Sequence, residues 1–297
     1  MRAAATLGLF LLFAVAVHGQ SNVVVEVDDV TDNRFSSSDT GGFQMTGGLE
    51  LRVKLDGTNL DKAEAARVIV KEAKDDKGNS LVDASRSAPD FMGRNVNGGL
   101  LQLQVKQPAR TATTVRIKGT VELYVPSRDP NANVKVEKAL AKLDAPLAHK
   151  ALKAAKLEIT PLSPNGYAAA QKARKITPED IEKLRAEGKK QGVPEKEIEM
   201  AVELAQVFES MDGPVSPNAV ILSGKKADFD RIFKIEVLGE DGQPLDDSGR
   251  GVSTRGESSI MTINASTAPP ANAALQLMLV TDKARVSFPF DLKVELP

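Results

Sequence analysis

The 297-residue chain has no cysteine and no tryptophan, and only two histidines and two tyrosines. Without cysteine there is no disulfide framework, no thiol nucleophile and no zinc or iron–sulfur site built on thiolates. The chain also lacks an excess of charge. Lys and Arg number 39 against 40 Asp and Glu, a net charge of -1. Nothing general therefore draws it to nucleic acid or to an anionic membrane. Aromatic residues make up 4 %, which leaves few of the broad rigid faces on which a sugar or a base could stack.

Long apolar runs are absent except at the start. Leu7 to Val17 carries no polar side chain, follows the single charge of Arg2 and precedes Val17-His18-Gly19. A short basic start, an apolar middle and a small-residue end form the pattern of a secretory signal peptide. The run is shorter than the roughly 20 residues of a transmembrane helix. Residues 1–20 are therefore expected to be a leader lost on export, leaving no transmembrane span. No cysteine follows to carry a lipid anchor. Loss of Arg2 and His18 takes the basic count from 39 to 38 against 40 acids, a net of -2, and leaves His149 as the one histidine. An exported chain without cysteine points to a bacterial periplasmic or secreted product, because extracellular eukaryotic domains often use disulfides. One glycosylation sequon, Asn264-Ala265-Ser266, points the other way.

Both ends of the exported chain alternate between apolar and polar residues. Leu49, Leu51, Val53 and Leu55 interleave with Glu50, Arg52 and Lys54. Leu101, Leu103 and Val105 repeat the pattern, as do Val115, Ile117, Val121, Leu123 and Val125 with Gly119 among them. Val286, Phe288, Phe290, Leu292, Val294 and Leu296 close the chain in the same way. Period-two alternation buries one face of a strand and wets the other. Pro289 falls on the outward parity of the last strand, which places that strand at an edge or at a bulge.

The two ends also resemble each other. The 16 residues from Leu55-Asp56-Gly57 to Val68-Ile69-Val70 align without a gap with those from Leu222-Ser223-Gly224 to Ile235-Glu236-Val237. An acidic turn follows each, Asp75 to Leu81 and Glu240 to Leu245. Then come Asp83-Ala84-Ser85-Arg86 and Asp247-Ser248-Gly249-Arg250, each with a Gly/Ser-rich loop behind it. A strand (Leu101 to Val105; Ile260 to Ile263), a Pro/Ala turn (Pro108; Pro269-Pro270) and a further strand (from Val115; from Leu275) complete both series. The order of these matches argues for duplication. Short strands spaced by turns argue for antiparallel sandwiches.

With its strand order and its Gly-x-x-Leu turns at Gly78–Leu81 and Gly242–Leu245, each half resembles the immunoglobulin-like modules of bacterial secreted proteins. The resemblance spans Ser21 to Pro146 and Leu157 to Pro297, apart from a helical stretch. The Cys–Trp–Cys pattern of antibody domains is absent.

The middle of the chain reads differently. Ala139 to Lys156, rich in Ala, Lys and Leu, fits strand, helix or linker. Leu157-Glu158-Ile159 opens the second module. Tyr167 to Lys175 is rich in Ala and Lys. Thr177 then supplies an N-cap, Pro178 a first helical position, and Glu179 and Asp180 the acids of a first turn. Gly192 ends that helix. Pro194-Glu195 starts another, with Ile198, Ala201, Val202, Ala205 and Phe208 at helical spacing, and Gly213-Pro214 stops it. With so short a turn between them, these two helices should lie side by side. Their apolar stripe, with Val202 and Phe208, either packs inward on the second module or faces a partner.

Reactive constellations are scarce. A serine hydrolase needs a base, and His149 stands alone, so it reads as an exposed polar residue. A single histidine without cysteine makes a poor transition-metal site. Three acidic clusters offer oxygen ligands of the kind Ca²⁺ prefers: Asp28, Asp29, Asp32 and Asp39 in a loop after the first strand; Asp75, Asp76 and Asp83; and Glu240, Asp241, Asp246 and Asp247. None has EF-hand spacing, and Asp favours turns for local reasons. Gly47-Gly48, Gly98-Gly99 and Gly249 to Gly251 lack the phosphate-loop pattern and read as turns between strands. The basic run Lys172 to Lys175, with Lys189-Lys190, lies among Glu179, Glu182, Glu187, Glu195 and Glu197 and reads as a solvated helix surface.

The expectation is thus a mainly β protein of two antiparallel immunoglobulin-like β-sandwich domains, 21–146 and 147–297, with a helical insert at about 166–212 in the second. It is expected to be exported and non-catalytic, with no cofactor or metal. It would act by contact with another envelope or extracellular protein and not with nucleic acid. The other function classes are a calcium- or polysaccharide-binding surface module and a carboxylate hydrolase.

Overall fold

A computed structural model describes residues 23–33, 47–57, 60–84, 89–93, 100–175, 177–210 and 215–296. The expected leader, Asp39 and Gly98-Gly99 lie outside these residues. Of the described residues, 45 % are in strands and 22 % in helices, and the sheets are antiparallel. In chain order the first strands are β1 (Val23–Asn33), β2 (Gly48–Gly57), β3 (Ala65–Asp75), β4 (Met92–Gly93), β5 (Leu100–Lys106), β6 (Thr114–Tyr124) and β7 (Asn133–Val136). Then follow α1 (Lys150–Ala155), β8 (Ile159–Pro161), α2 (Pro164–Ala173), α3 (Pro178–Lys190) and α4 (Glu195–Ser210). The rest are β9 (Ala219–Lys225), α5 (Lys226–Phe229), β10 (Ile232–Leu238), β11 (Asp247–Arg255), β12 (Ser258–Ala265), β13 (Ala274–Leu279) and β14 (Arg285–Glu295). Among the described residues no helix is long and apolar enough to cross a membrane.

The chain divides into two compact units, one formed by residues up to Val125 and again from Val286, the other by Pro126–Arg285. The first unit holds two sheets, ordered β1-β2-β5 and β14-β6-β3-β4. The alternation read from the sequence is its cause. Leu49, Leu51 and Val53 of β2 and Val115, Ile117 and Val121 of β6 are fully buried, and they join Leu101, Leu103 and Val105 of β5 in one core. Each such side chain contributes about 1.5–3 kcal/mol on burial. β14 is an edge strand, as Pro289 requires. It runs against β6 in the opposite sense, with the Leu296 amide donating to the Thr113 carbonyl and the Ser287 hydroxyl to Glu122. Its Phe290 and Val294 enter the same core.

The second unit also holds two sheets, β11-β12-β9-β8 and β10-β13-β7. Leu222 of β9, Ile235 of β10, Ile263 of β12, Leu275 and Leu277 of β13 and Val134 of β7 form its core, together with Ala151 and Leu152 of α1. The stretch that read ambiguously thus contains a short helix, which packs Ala151 and Leu152 into this core. Three more helices, α2 to α4, occupy the expected insert. Their boundaries follow the caps: Thr177 and Asp180 form a reciprocal capping box with Pro178 at the first turn, and α3 stops before Gly192.

The units correspond in six strands each; β4 and β11 differ, β4 pairing with β3 and β11 with β12. β2 is flanked by β1 and β5, and β9 by β8 and β12. β6 is flanked by β3 and β14, and β13 by β10 and β7. A single helical turn joins β2 to β3 (Leu60–Lys62) and β9 to β10 (α5). In the two acidic turns, Leu81 donates to the Ala73 carbonyl and Leu245 to the Val237 carbonyl, each at 2.8 Å.

The expected boundary at residues 146/147 is nevertheless not where the chain divides. β7 follows β6 in the chain but pairs with β13 in the second unit. β14 follows β13 but pairs with β6 in the first. Alternation specifies which face of a strand is buried and is silent on its neighbour. Two smaller expectations are also corrected. Asp28, Asp29 and Asp32 lie within β1 and not in a loop after it, and Gly249 to Gly251 lie within β11 and not in a turn. β11 is an edge strand with a register shift between Asp247 and Gly249, where glycine is tolerated because little packs on it.

Candidate functional site

A cleft of about 490 Å³ opens in the second unit between the helical insert and the turn joining β11 to β12. Its volume lies in the range of small-molecule pockets, about 300–1,000 Å³. Ile181 and Leu184 of α3 and Val202 and Ala205 of α4 give it an apolar wall. Arg174 and Lys175, just past α2, face it with Arg255, Gly256 and Ser258 of the hairpin, and Asp180 stands at the start of α3.

Local sequence builds each wall. α2 starts at Ser163, whose hydroxyl accepts from the Gly166 amide at 2.9 Å and donates to Asp144 at 2.6 Å. At the other end of α2, the Arg174 guanidinium donates to the Ser253 carbonyl at 2.8 Å and its hydroxyl at 3.3 Å, which fastens the helix to β11. Asp180 accepts from the Thr177 hydroxyl at 2.7 Å and from the Thr177 amide at 3.1 Å. Those bonds, with Lys183 and Arg255 nearby, hold its carboxyl below the ordinary range, so it is ionised at neutral pH. The lining thus has three cations against one carboxylate, and that carboxylate is already engaged by Thr177.

α3 and α4 lie side by side, as their short connection predicts. Arg185 grips Glu199 with two bonds, 2.8 and 2.9 Å, and reaches Glu182 at 2.9 Å. Both carboxylates push the guanidinium's pKa further up, and Arg185 lowers that of Glu199. Gly188 of α3 is so close to Ile198 of α4 that an added Cβ would sit 2.7 Å from the isoleucine Cγ1. Ile198 and Val202 are buried there, in a small apolar seam separate from the core of the second unit. On the outer surface Met200 and Leu204, one turn apart on α4, remain about half exposed.

The other singled-out residues go elsewhere. His149 is half-buried and caps α1, its Nδ1 accepting from the Ala151 amide at 3.2 Å. Asp75 is buried under four donors: the amides of Lys77, Asn79 and Ala109 and the side-chain amide of Asn79, at 2.8–3.0 Å. Asp76 accepts from the Thr113 hydroxyl at 2.9 Å. Asp241 accepts from the Gln243 amide, and Asp247 from the Gly249 amide and Arg250. The bonds of Asp75 to Lys77 and Asn79 and of Asp241 to Gln243 are turn bonds. Those to Ala109 and Thr113 tie the first acidic turn to a distant segment, and those of Asp247 lie within β11. Among the described residues no three His, Asp or Glu side chains converge on a point that could hold an ion.

Sequence reasoning read Arg174 and Lys175 as part of a solvated surface and did not single out Arg255. These residues meet only because α2 reaches back to a hairpin some 80 positions later, and no local pattern encodes that approach. Comparison with known protein families, with curated proteins and with solved structures finds no match to this chain.

Proposed function

We propose that this is an exported, non-catalytic bacterial protein that acts by contact in the envelope or outside the cell. Each of its units is on this reading an immunoglobulin-like sandwich, the two derived by duplication. The leader pattern of residues 1–20 supports export. The paired sheet orders and the shared turn bonds at Leu81 and Leu245 support the duplication. The observation that carries the contact reading is the helical insert itself. It adds three helices, a cleft and the half-exposed Met200 and Leu204 to one unit, and it has no counterpart among the described residues of the other. His149, the one histidine after the leader, does not line the cleft and is spent on capping α1. Exposed apolar side chains gathered on one face mark contact surfaces more often than scattered ones do.

The test combines mass and crosslinking. The protein recovered from its source cells should begin near Ser21. A photo-crosslinking residue at Leu204 should give one discrete adduct, and one at the exposed Lys135 of β7 none. An unprocessed chain, or equal adducts at both positions, would overturn the reading.

A further inference from the structure

We propose that the cleft between the helical insert and the β11–β12 turn binds an amphipathic organic anion, with a carboxylate or phosphate head and a hydrocarbon tail. The proposal rests on the reading that the insert is the contact face, and it names a ligand chemistry for it.

Three properties of the cleft converge on that class. The first is charge. Arg174, Lys175 and Arg255 bring three cations to one mouth. Arg174 is oriented by Ser253. Among the described residues the side chains of Lys175 and Arg255 make no hydrogen bond or salt bridge, and Arg255 acts on Asp180 only as a nearby charge. The second is the wall. Ile181 and Leu184 of α3 and Val202 and Ala205 of α4 line the same cleft as the cations. Val202 is already buried at 4 % exposure while Leu184 stays 43 % exposed, so Leu184 is the apolar surface that a tail would cover. The third is the single acid. Asp180 is capped by Thr177 and leaves the positive excess in place.

Other ligand classes fit less well. A neutral apolar molecule would cover the Arg255 guanidinium without pairing it, which costs free energy. A small inorganic anion would leave the apolar wall wet. An amphipathic cation would meet three like charges. An anion with a tail satisfies both ends, through charge-assisted bonds at the head and apolar burial behind it.

The processed full-length protein is titrated calorimetrically with dodecanoate, dodecyl phosphate, dodecanol, inorganic phosphate and dodecyltrimethylammonium, each below its micelle concentration. The two tailed anions are expected to bind at one site. Dodecanol and inorganic phosphate should bind at least tenfold more weakly, and the cation should not bind. A preference between the two anions tells a fatty-acid head from a phospholipid-type head. Arg255→Gln should weaken both anions about tenfold and leave dodecanol unchanged. Leu184→Asp should weaken every tailed ligand. Equal affinity for dodecanol and the anions, or anion binding indifferent to Arg255→Gln, would overturn the proposal. If Arg255→Gln does not fold, Lys175→Gln at an exposed position serves in its place. Failure of anion binding with the Leu204 adduct intact removes the ligand and spares the contact reading. Loss of the adduct with anion binding intact does the reverse.

Discussion

The hydroxyl of Thr281 donates to the buried carboxylate of Asp129 at 2.7 Å. Asp129 follows the point where the chain passes into the second unit, and Thr281 precedes the point where it leaves. The Asn131 amide donates to the other carboxylate oxygen at 2.9 Å, and Leu279 donates to the Ala132 carbonyl at 2.7 Å. The two crossings are thus clipped together within that unit. The Thr281 bond, followed by the Asn131 amide, lowers the Asp129 pKa. Thr281→Val should let that pKa rise toward its ordinary value, visible in the carboxyl carbon shift on acid titration. It should also destabilise the second unit by about 1–3 kcal/mol, the range for a bond to a buried charge.

Asp75 carries the clearest pH signature. Burial alone would raise its pKa, but the four donors from Asn79, Ala109 and Lys77 outweigh burial and bring it down from 3.8 to about 2. A carboxyl with a depressed folded pKa contributes stability that is fully present above the unfolded pKa. That contribution is lost as the pH falls through the folded one. The first unit should therefore weaken between about pH 4 and about pH 2, by about 2 kcal/mol from this group. Asp75→Asn should be destabilising at neutral pH and should flatten this acid limb in urea melts. The amide would turn its NH₂ toward two donors, Ala109 and Asn79.

The same residues show what the sequence made legible. The strand faces at Leu49 to Leu55 and Val115 to Val125 were readable because alternation is local. So were the ends of α3, where Thr177, Pro178 and Gly192 act within one turn. The carboxylates of the acidic turns were readable as turn chemistry for the same reason. The partner of β14 was not readable, because its six alternating apolar residues would serve any sheet with an open apolar edge. α1 was ambiguous because six residues of Lys, Ala and Leu are too few to show a period. The cleft was invisible because its cations come from segments that approach only in the folded chain.

Gly119 of β6 decides whether β14 can dock. A Cβ there would lie 2.6 Å from the Phe290 ring and closer still to the Ile69 carbonyl oxygen of β3. Backbone on one side and a buried ring on the other leave nothing free to yield. Gly119→Ala should cost the first unit about 1–3 kcal/mol, the usual penalty for overpacking. Hydrogen exchange should report it at the Leu296 amide, which is bonded to Thr113 in the intact protein. Exchange there as slow as in the parent would show that the ring has room.

Gly188 and Ile198 allow a test in which two effects of opposite sign compete. Helix propensity alone makes Gly188→Ala stabilising by about 1 kcal/mol in α3. The contact opposes it, because the new Cβ would lie 2.7 Å from Cγ1 and 2.8 Å from Cδ1 of Ile198. Ile198 is buried, and a β-branched side chain in a helix has one strongly preferred rotamer, so it cannot swing aside. The contact should win. Gly188→Ala should lower the stability of the helical pair and loosen the Arg185–Glu199 grip. In an Ile198→Ala background the obstacle is gone, and the same substitution should become stabilising. A double-mutant cycle on the melting of α3 and α4 reads the coupling directly. Additive effects would mean that the helices are not seated against each other at this pair.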